Sequence, residues 1–384
     1  MTSVAIRTDS DPVRNALSLT DALGVLTVYL GARDAALPGN SATRAVLVEL
    51  DRVNRLMFGP SPATTPSWAH AALAVVEEHV RRAARHDEGD LAIFAALSNG
   101  EVQVVHPGAT VPTRAVLGPR ADVRPLCLAL DAAHPEGLAV VSGEGLDLYE
   151  WRAGALAEVW SERAPELEEH PLVGPAHAHP RGSPQSAPGF AVAQQRDLFE
   201  RRMRDELRRF LVDAGHRVAE RARRRQWRTL ALAGEGRLTS ALARGIPSST
   251  SIELALVARL ERWRSPGELA SLVAPTFEDA AERRAAHLVR RVLEGRDGRV
   301  AVGVRETLAA LGEARVETLL VAADTEVSGR SAPTDVPVEG EIGDDPMLAD
   351  AMIERTLAAG GSVVVLPDGP RRLLGDVVAA LLRY

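Results

Sequence analysis

Between Gln194 and Arg228 the chain holds twelve arginines against six acids, yet it also carries an apolar residue at every third or fourth position. Phe199, Met203, Leu207, Phe210, Ala214 and Val218 share one side of a helix at that spacing. A helix of this length and charge limits the fold. One face needs a domain to lie on, and the rest needs water or a counter-charge. Upstream, a stretch rich in Pro, Gly, His and Ser, residues 169–189, reads as an exposed loop that Pro188 and Gly189 separate from the helix. Downstream, Thr229 to Ala233 is an apolar run of strand type. The spacing therefore predicts loop, long basic helix over 194–226, and buried strand.

Charge sets this segment apart. It carries +6, whereas the whole chain carries −7, so the remainder is −13. A basic ridge on an acidic protein suggests a polyanion partner. The same arginines also suit a solvated face with acids at helical spacing, such as Glu200 with Arg204 and Asp205 with Arg209. All 45 basic residues are arginine, which excludes lysine chemistry. The single cysteine, Cys127, excludes disulfides and thiolate zinc sites within one chain and reads as a small core residue. Residues 1–19 have no signal-peptide core and no apolar run reaches the length of a membrane span, so a cytoplasmic protein is expected.

Along the chain, Val25–Leu30, Leu91–Ala96 and Val102–Val105 read as strands, and Ala42–Phe58 and Ser67–Arg85 as helices. Asn99-Gly100 marks a hairpin. This predicts a small α/β domain over 1–122. Pro125–Asp131 reads as the first strand of a second domain, 123–264, followed by Gly137–Ser142, Leu146–Trp151 and Ala155–Val159. Trp227 starts a strand beside Arg223-Arg224-Arg225, where core packing is favoured over stacking on RNA. A third domain, 265–384, begins with two helical patterns, Glu268–Leu272 and Phe277–Leu293, broken by Pro275. Strands and helices then alternate, as in a three-layer α/β/α sandwich. The fold class is α/β throughout.

Motifs for other chemistries are absent. No P-loop, zincin or nucleophile elbow occurs. Gly143-Glu144-Gly145 and Gly234-Glu235-Gly236 are turn signals without the dinucleotide pattern. His170, His177 and His179 lie in the loop with no third ligand cluster, so neither a metal nor a cofactor is expected.

The C-terminal third resembles the last domain of archaeo-eukaryotic class 1 release factors and Pelota, in the bacterial branch of that superfamily. The resemblance rests on Gly303 to Leu320, on Ala359-Gly360-Gly361-Ser362-Val363, and on the ending Leu374-Gly375-Asp376-Val377-Val378-Ala379-Ala380-Leu381-Leu382-Arg383-Tyr384. The middle domain is similar as well. The family sets a Gly-Gly-Gln loop before a long basic helix that returns to a strand ending in Ala-Gly. Here the order is Arg181-Gly182-Ser183-Pro184-Gln185-Ser186, the arginine helix, then Leu232-Ala233-Gly234. The resemblance implies a ribosome-binding factor that hydrolyses the ester of peptidyl-tRNA in termination or rescue. Gln185 would be its catalytic residue, and Arg181, Arg201, Arg204, Arg208, Arg221, Arg224 and Arg225 its RNA contacts. It implies ribosomal RNA and peptidyl-tRNA as partners, allows a translational GTPase, and implies neither membrane nor DNA. Ser183 and Pro184 stand where the family has two glycines. Pro184 fixes φ and lacks an N–H. Two other readings therefore stay open: non-catalytic occupancy of the A site in hibernation or rescue, and a non-ribosomal RNA-binding or scaffold protein that has kept the fold.

Overall fold

The protein is described from a computed structural model covering residues 6–7, 11–32, 41–59, 66–86, 89–165, 188–257, 265–295, 298–322, 347–367, 369–370 and 378–384. The fold is mixed α/β and multi-domain. Each of the three expected segments contributes one sheet. By contact the chain forms two compact units, one of residues 1–134 with 281–384 and the other of residues 135–280.

In the first unit, strands β1 (Ile6–Arg7), β2 (Val25–Leu30), β3 (Leu91–Ala96), β4 (Glu101–Val105) and β5 (Arg114–Gly118) form a sheet of order β1-β4-β3-β2-β5. Only the β1–β4 pair is parallel. The β3–β4 hairpin turns at Asn99-Gly100, where Gly100 takes φ +72°. Helix α1 (Pro12–Leu17) precedes β2, and α2 (Ser41–Phe58) and α3 (Ser67–His86) follow it. Side chains alternate along a strand, and both faces of this sheet are covered. Leu26, Val28, Leu30, Leu91, Ile93 and Ala95 pack with α2 and α3. Val25, Tyr29, Ala92 and Phe94 join a second core shared with residues 301–382.

That second core contains a correction. Pro125–Asp131, expected as a strand, is helix α4 (Arg124–Ala132). Leu126 and Ala129 are buried one turn apart, and Pro125 sits in the first turn, where its missing N–H costs nothing. A short apolar run has no period that separates strand from helix. Cys127 packs partly buried on this core. Burial pushes its thiol up to about 12, so it stays protonated. Beside it Tyr29 donates to the Asp122 carbonyl at 2.7 Å, and Arg114 pairs with the Asp122 carboxylate. Arg124 lies 3.3 Å from the fully buried Asp350, which also accepts from the Val123 N–H at 3.1 Å.

The first unit also holds the C-terminal sheet, order β11-β14-β12-β13, from β11 (Val300–Val302), β12 (Val316–Ala322), β13 (Ser362–Leu366) and β14 (Ala379–Leu382). Leu319, Val321, Ala380 and Leu382 face α8 (Val304–Gly312) and α9 (Leu348–Ala358). Leu320, Leu366, Ala379 and Leu381 face Ala285, Val289 and Val292 of α7 (Pro266–Leu293). This is the expected α/β/α layering. Helix α7 is continuous, however, and runs through Pro275. A proline inside a helix costs roughly 3 kcal/mol. Burial of Leu269, Val273 and Phe277 around it, and of Ala285, Val289 and Val292 beyond it, offsets that cost.

The second unit is built on the sheet β10-β9-β6-β7-β8. Strands β6 (Glu136–Ser142), β7 (Gly145–Arg152) and β8 (Ala155–Arg163) form an antiparallel meander. Strands β9 (Thr229–Gly234) and β10 (Glu253–Val257) extend it in parallel from β6. Helices α5 (Pro188–Arg224) and α6 (Gly236–Gly245) cover one face, and Leu269, Val273 and Phe277 of α7 cover the other.

Candidate nucleic-acid interface

Helix α5 has 37 residues, about 55 Å at 1.5 Å per residue. It begins at Pro188, not after Gly189 as the sequence suggested. A proline is tolerated in the first turn because no intrahelical bond needs its N–H. The C-terminal half is packed. Leu211, Ala214, Val218, Ala219 and Ala222 are buried against the meander, β9 and α6. Gly215 and Gly245 let α5 and α6 meet backbone to backbone: a Cβ on Gly215 would lie 2.5 Å from the Leu242 carbonyl oxygen.

The N-terminal half departs from the expected stripe. Leu207 and Phe210 are half-buried, but Met203 is 46 % exposed and Glu200 to Asp205 are exposed without exception. The sequence explains where the packing stops. Arg201 and Arg208 lie in line with Gly215 and Ala222 at steps of seven residues, which keep nearly the same helix face. The side that is small and apolar in the packed half is therefore arginine in the other. Burying it would cost the desolvation of unpaired guanidiniums. Packing ends where that cost begins, and Glu200 to Asp205 are left in solvent.

The arginines divide into two groups. Those of the packed half serve the fold. Arg217 Nη2 donates to Glu162 at 2.8 Å, and Arg221 lies 4.0 Å over the Trp160 ring. Arg224 pairs with Glu220. Arg225, Trp227 Nε1 and Arg152 all donate to the Glu150 carboxylate, at 2.9, 3.0 and 2.8 Å. Burial alone would raise the Glu150 carboxyl, but hydrogen bonds from Arg225, Trp227 and Arg152 outweigh it and hold the group below the usual range. Glu150 thus ties the end of α5 to β7. Trp227 is 3 % exposed and belongs to the core.

In the projecting half, Arg204 Nε donates to the Glu200 backbone carbonyl at 3.1 Å, and Arg209 reaches Glu206, not Asp205, at 3.9 Å. Among the described residues, Arg201, Arg202 and Arg208 form neither hydrogen bond nor ion pair, and the same holds for Arg223 near the other end. Of the expected RNA contacts, Arg201 and Arg208 therefore have no partner among the described residues. Arg204 is exposed, and Arg221, Arg224 and Arg225 are engaged within the unit. Arg202 and Arg223 were absent from that expectation; both are exposed, but Asp205 and Glu206 stand at helical spacing from the first and Glu220 from the second, so spacing held no signal that marks them. Arg181, Gln185 and the three loop histidines lie outside the described residues. No group of three metal-ligating side chains occurs among the described residues, and no described helix is long and apolar enough to cross a membrane.

Residues 122–262 match the model of bacterial archaeo-eukaryotic release factor family 10. No curated protein matches the chain. Among solved structures it is similar to ribosome-bound archaeal Pelota, described together with ABCE1, at 16 % identity over 77 % of each chain and a TM-score of 0.41. It is similar to Archaeoglobus fulgidus Pelota at 16 % identity, over 77 % of this chain and 79 % of that one, with a TM-score of 0.34. It is also similar to S. cerevisiae Dom34, a translation termination-like factor involved in RNA quality control and interacting with Hbs1, at 11 % identity over 67 % of this chain and 68 % of that one, with a TM-score of 0.39. The structures are similar at low identity and carry no argument; the family model matches residues 122–262, less than half of the chain.

Proposed function

We propose, from the membership of residues 122–262 in bacterial archaeo-eukaryotic release factor family 10, that this protein acts on the ribosome in termination or rescue. The observation that carries this reading is the projecting half of α5. A helix whose core-facing side turns to arginine as it leaves its domain is suited to lie along phosphates. Arg201, Arg202 and Arg208 would make those contacts in the A site of the large subunit. The loop immediately before Pro188 would then be carried toward the peptidyl-transferase centre.

Gln185 in that loop would assist water in attacking the ester between peptide and tRNA. An amide is uncharged at every pH, and the Gln185 backbone N–H can donate to the oxyanion that develops on the ester. Ser183-Pro184 favours a second reading, in which the loop fills the site without catalysis. Two glycines permit backbone conformations that Ser and Pro do not. A translational GTPase is the natural delivery partner on either reading, and the cytoplasm the natural place.

The test is peptide release from stalled ribosomal complexes carrying labelled peptidyl-tRNA, wild type against Gln185→Ala, with ribosome pelleting alongside. Release lost in the variant with binding retained supports the hydrolase. Binding without release in either protein supports occupancy. Failure of both to pellet with ribosomes would overturn the ribosomal reading in favour of another RNA-binding or scaffold role.

A further inference from the structure

At the C-terminal end of α5 a cleft of about 320 Å³ opens between the helix terminus and the segment leading into β10. Arg223, Gln226, Trp227, Ser249, Thr250 and Ile252 line it, together with Ser251. Thr250 is committed to the turn, its N–H and hydroxyl both donating to the Pro247 carbonyl. Trp227 is committed through Glu150. Among the described residues, the side chains of Arg223, Gln226, Ser249 and Ser251 form no hydrogen bond. One guanidinium, one carboxamide and two hydroxyls therefore meet at one concavity with their hydrogen-bonding capacity unspent.

Gln226 adds an independent observation. The helix closes with bonds from the Arg225 N–H to the Arg221 carbonyl, the Gln226 N–H to the Arg223 carbonyl and the Trp227 N–H to the Ala222 carbonyl. Such a terminus places one residue in the left-handed region, and glycine is the residue that adopts it without cost. Here it is Gln226, at φ +59°. Ala314 takes a similar conformation after α8, so the conformation alone marks nothing. At Gln226 it coincides with a cleft that the side chain lines. Glycine would serve the backbone better; glutamine serves the cleft.

We propose that this cleft binds one nucleotide unit, with its phosphate at Arg223 and its base edge at the Gln226 carboxamide and the Ser249 and Ser251 hydroxyls, over an apolar floor of Trp227 and Ile252. A guanidinium is the natural partner of a phosphate, and a carboxamide reads a base edge with a donor and an acceptor at once. The volume lies at the small end of ligand pockets and suits a single unstacked nucleotide, as single-stranded RNA offers in loops and bulges. The inference rests on the RNA-binding reading only for the source of that nucleotide.

The full chain is titrated with nucleoside monophosphates and, separately, with a short single-stranded RNA, in wild type, Arg223→Ala and Gln226→Gly. Each variant is expected to bind about tenfold more weakly, the loss of one hydrogen bond to a charged group or of one base contact. Gln226→Gly is also expected to raise the melting temperature, because it relieves the left-handed residue. Sensitivity with monophosphates assigns the site to a free nucleotide, and sensitivity with RNA alone assigns it to a nucleotide within a chain; both support the proposal. Unchanged affinity for both probes in both folded variants would overturn it. So would a lower melting temperature in Gln226→Gly, which would make the side chain structural, or binding of an acidic peptide with the same variant sensitivity in place of nucleotide. Arg201→Ala with Arg208→Ala separates the two readings: loss of ribosome pelleting with cleft binding intact leaves this proposal standing alone.

Discussion

Replacing Arg201, Arg202 and Arg208 together with alanine removes three exposed charges that touch nothing in the described part of the protein. If each meets a phosphate, each contributes about 0.7 to 0.9 to the slope of log affinity against log salt. The triple variant should therefore lose roughly 2 to 3 from that slope. Extrapolated from about 1 M to about 0.15 M salt, each contact is worth roughly a factor of 4 to 5, and three together about 100-fold. That is roughly 2 to 3 kcal/mol of binding free energy. Folding should not weaken, because alanine is the better helix former and no partner among the described residues is left unpaired. Ribosome pelleting across a salt series, with thermal melting of the same samples, measures both quantities. Arg225→Ala is the informative contrast: it withdraws a donor from Glu150 and should lower the melting temperature. An unchanged salt slope in the triple variant, with the protein folded, would refute the ridge as a phosphate-binding surface. A drop in its melting temperature would refute the claim that these arginines are spare.

Gly215→Ala should destabilise the second unit even though alanine is favoured in helices by about 1 kcal/mol. The new Cβ meets backbone at 2.5 to 2.7 Å on α6, and overpacking of this kind typically costs about 1–3 kcal/mol; a melting temperature equal to or above wild type would contradict the close approach. Asp350 supplies a pH dependence. Burial pushes its carboxyl up to about 7, although the Arg124 guanidinium pulls it down. The folded value thus lies above the unfolded one of about 4. Its contribution is present below that unfolded value and is lost as pH rises through about 7. Wild type should therefore lose melting temperature relative to Asp350→Asn between about pH 4 and pH 7, and parallel profiles would remove Asp350 as the cause.

The long helix, the strand that follows it and the alternation of the C-terminal sheet were legible because each has a period or a boundary residue of its own. Met203 extends an apolar stripe but has no surface to cover it, and spacing carries no information about how far a neighbouring sheet extends. Pro275 marks a break by local rules, yet buried residues on both sides hold α7 together, and those contacts come from two different sheets. The strand expected at Pro125–Asp131 failed for the same reason: its length and composition suit either element, and the core around Leu126 and Ala129 selected the helix. Of the expected RNA contacts, composition named the arginines as a class but could not divide them. Arg225 and Arg201 differ only in that Glu150, 75 residues away in sequence, meets one of them.

The sequence by itself determined the basic helix and the buried strand that follows it. These are properties of neighbours in the chain, and helix geometry converts spacing directly into a surface. The tertiary structure alone decided which guanidiniums are spent on Glu150, Glu162 and Trp160 and which remain for a ligand. It also decided that Gln226 stands at a cleft. Those assignments depend on which strands lie beside α5, and long-range pairing is set by the burial of whole faces, not by any local pattern.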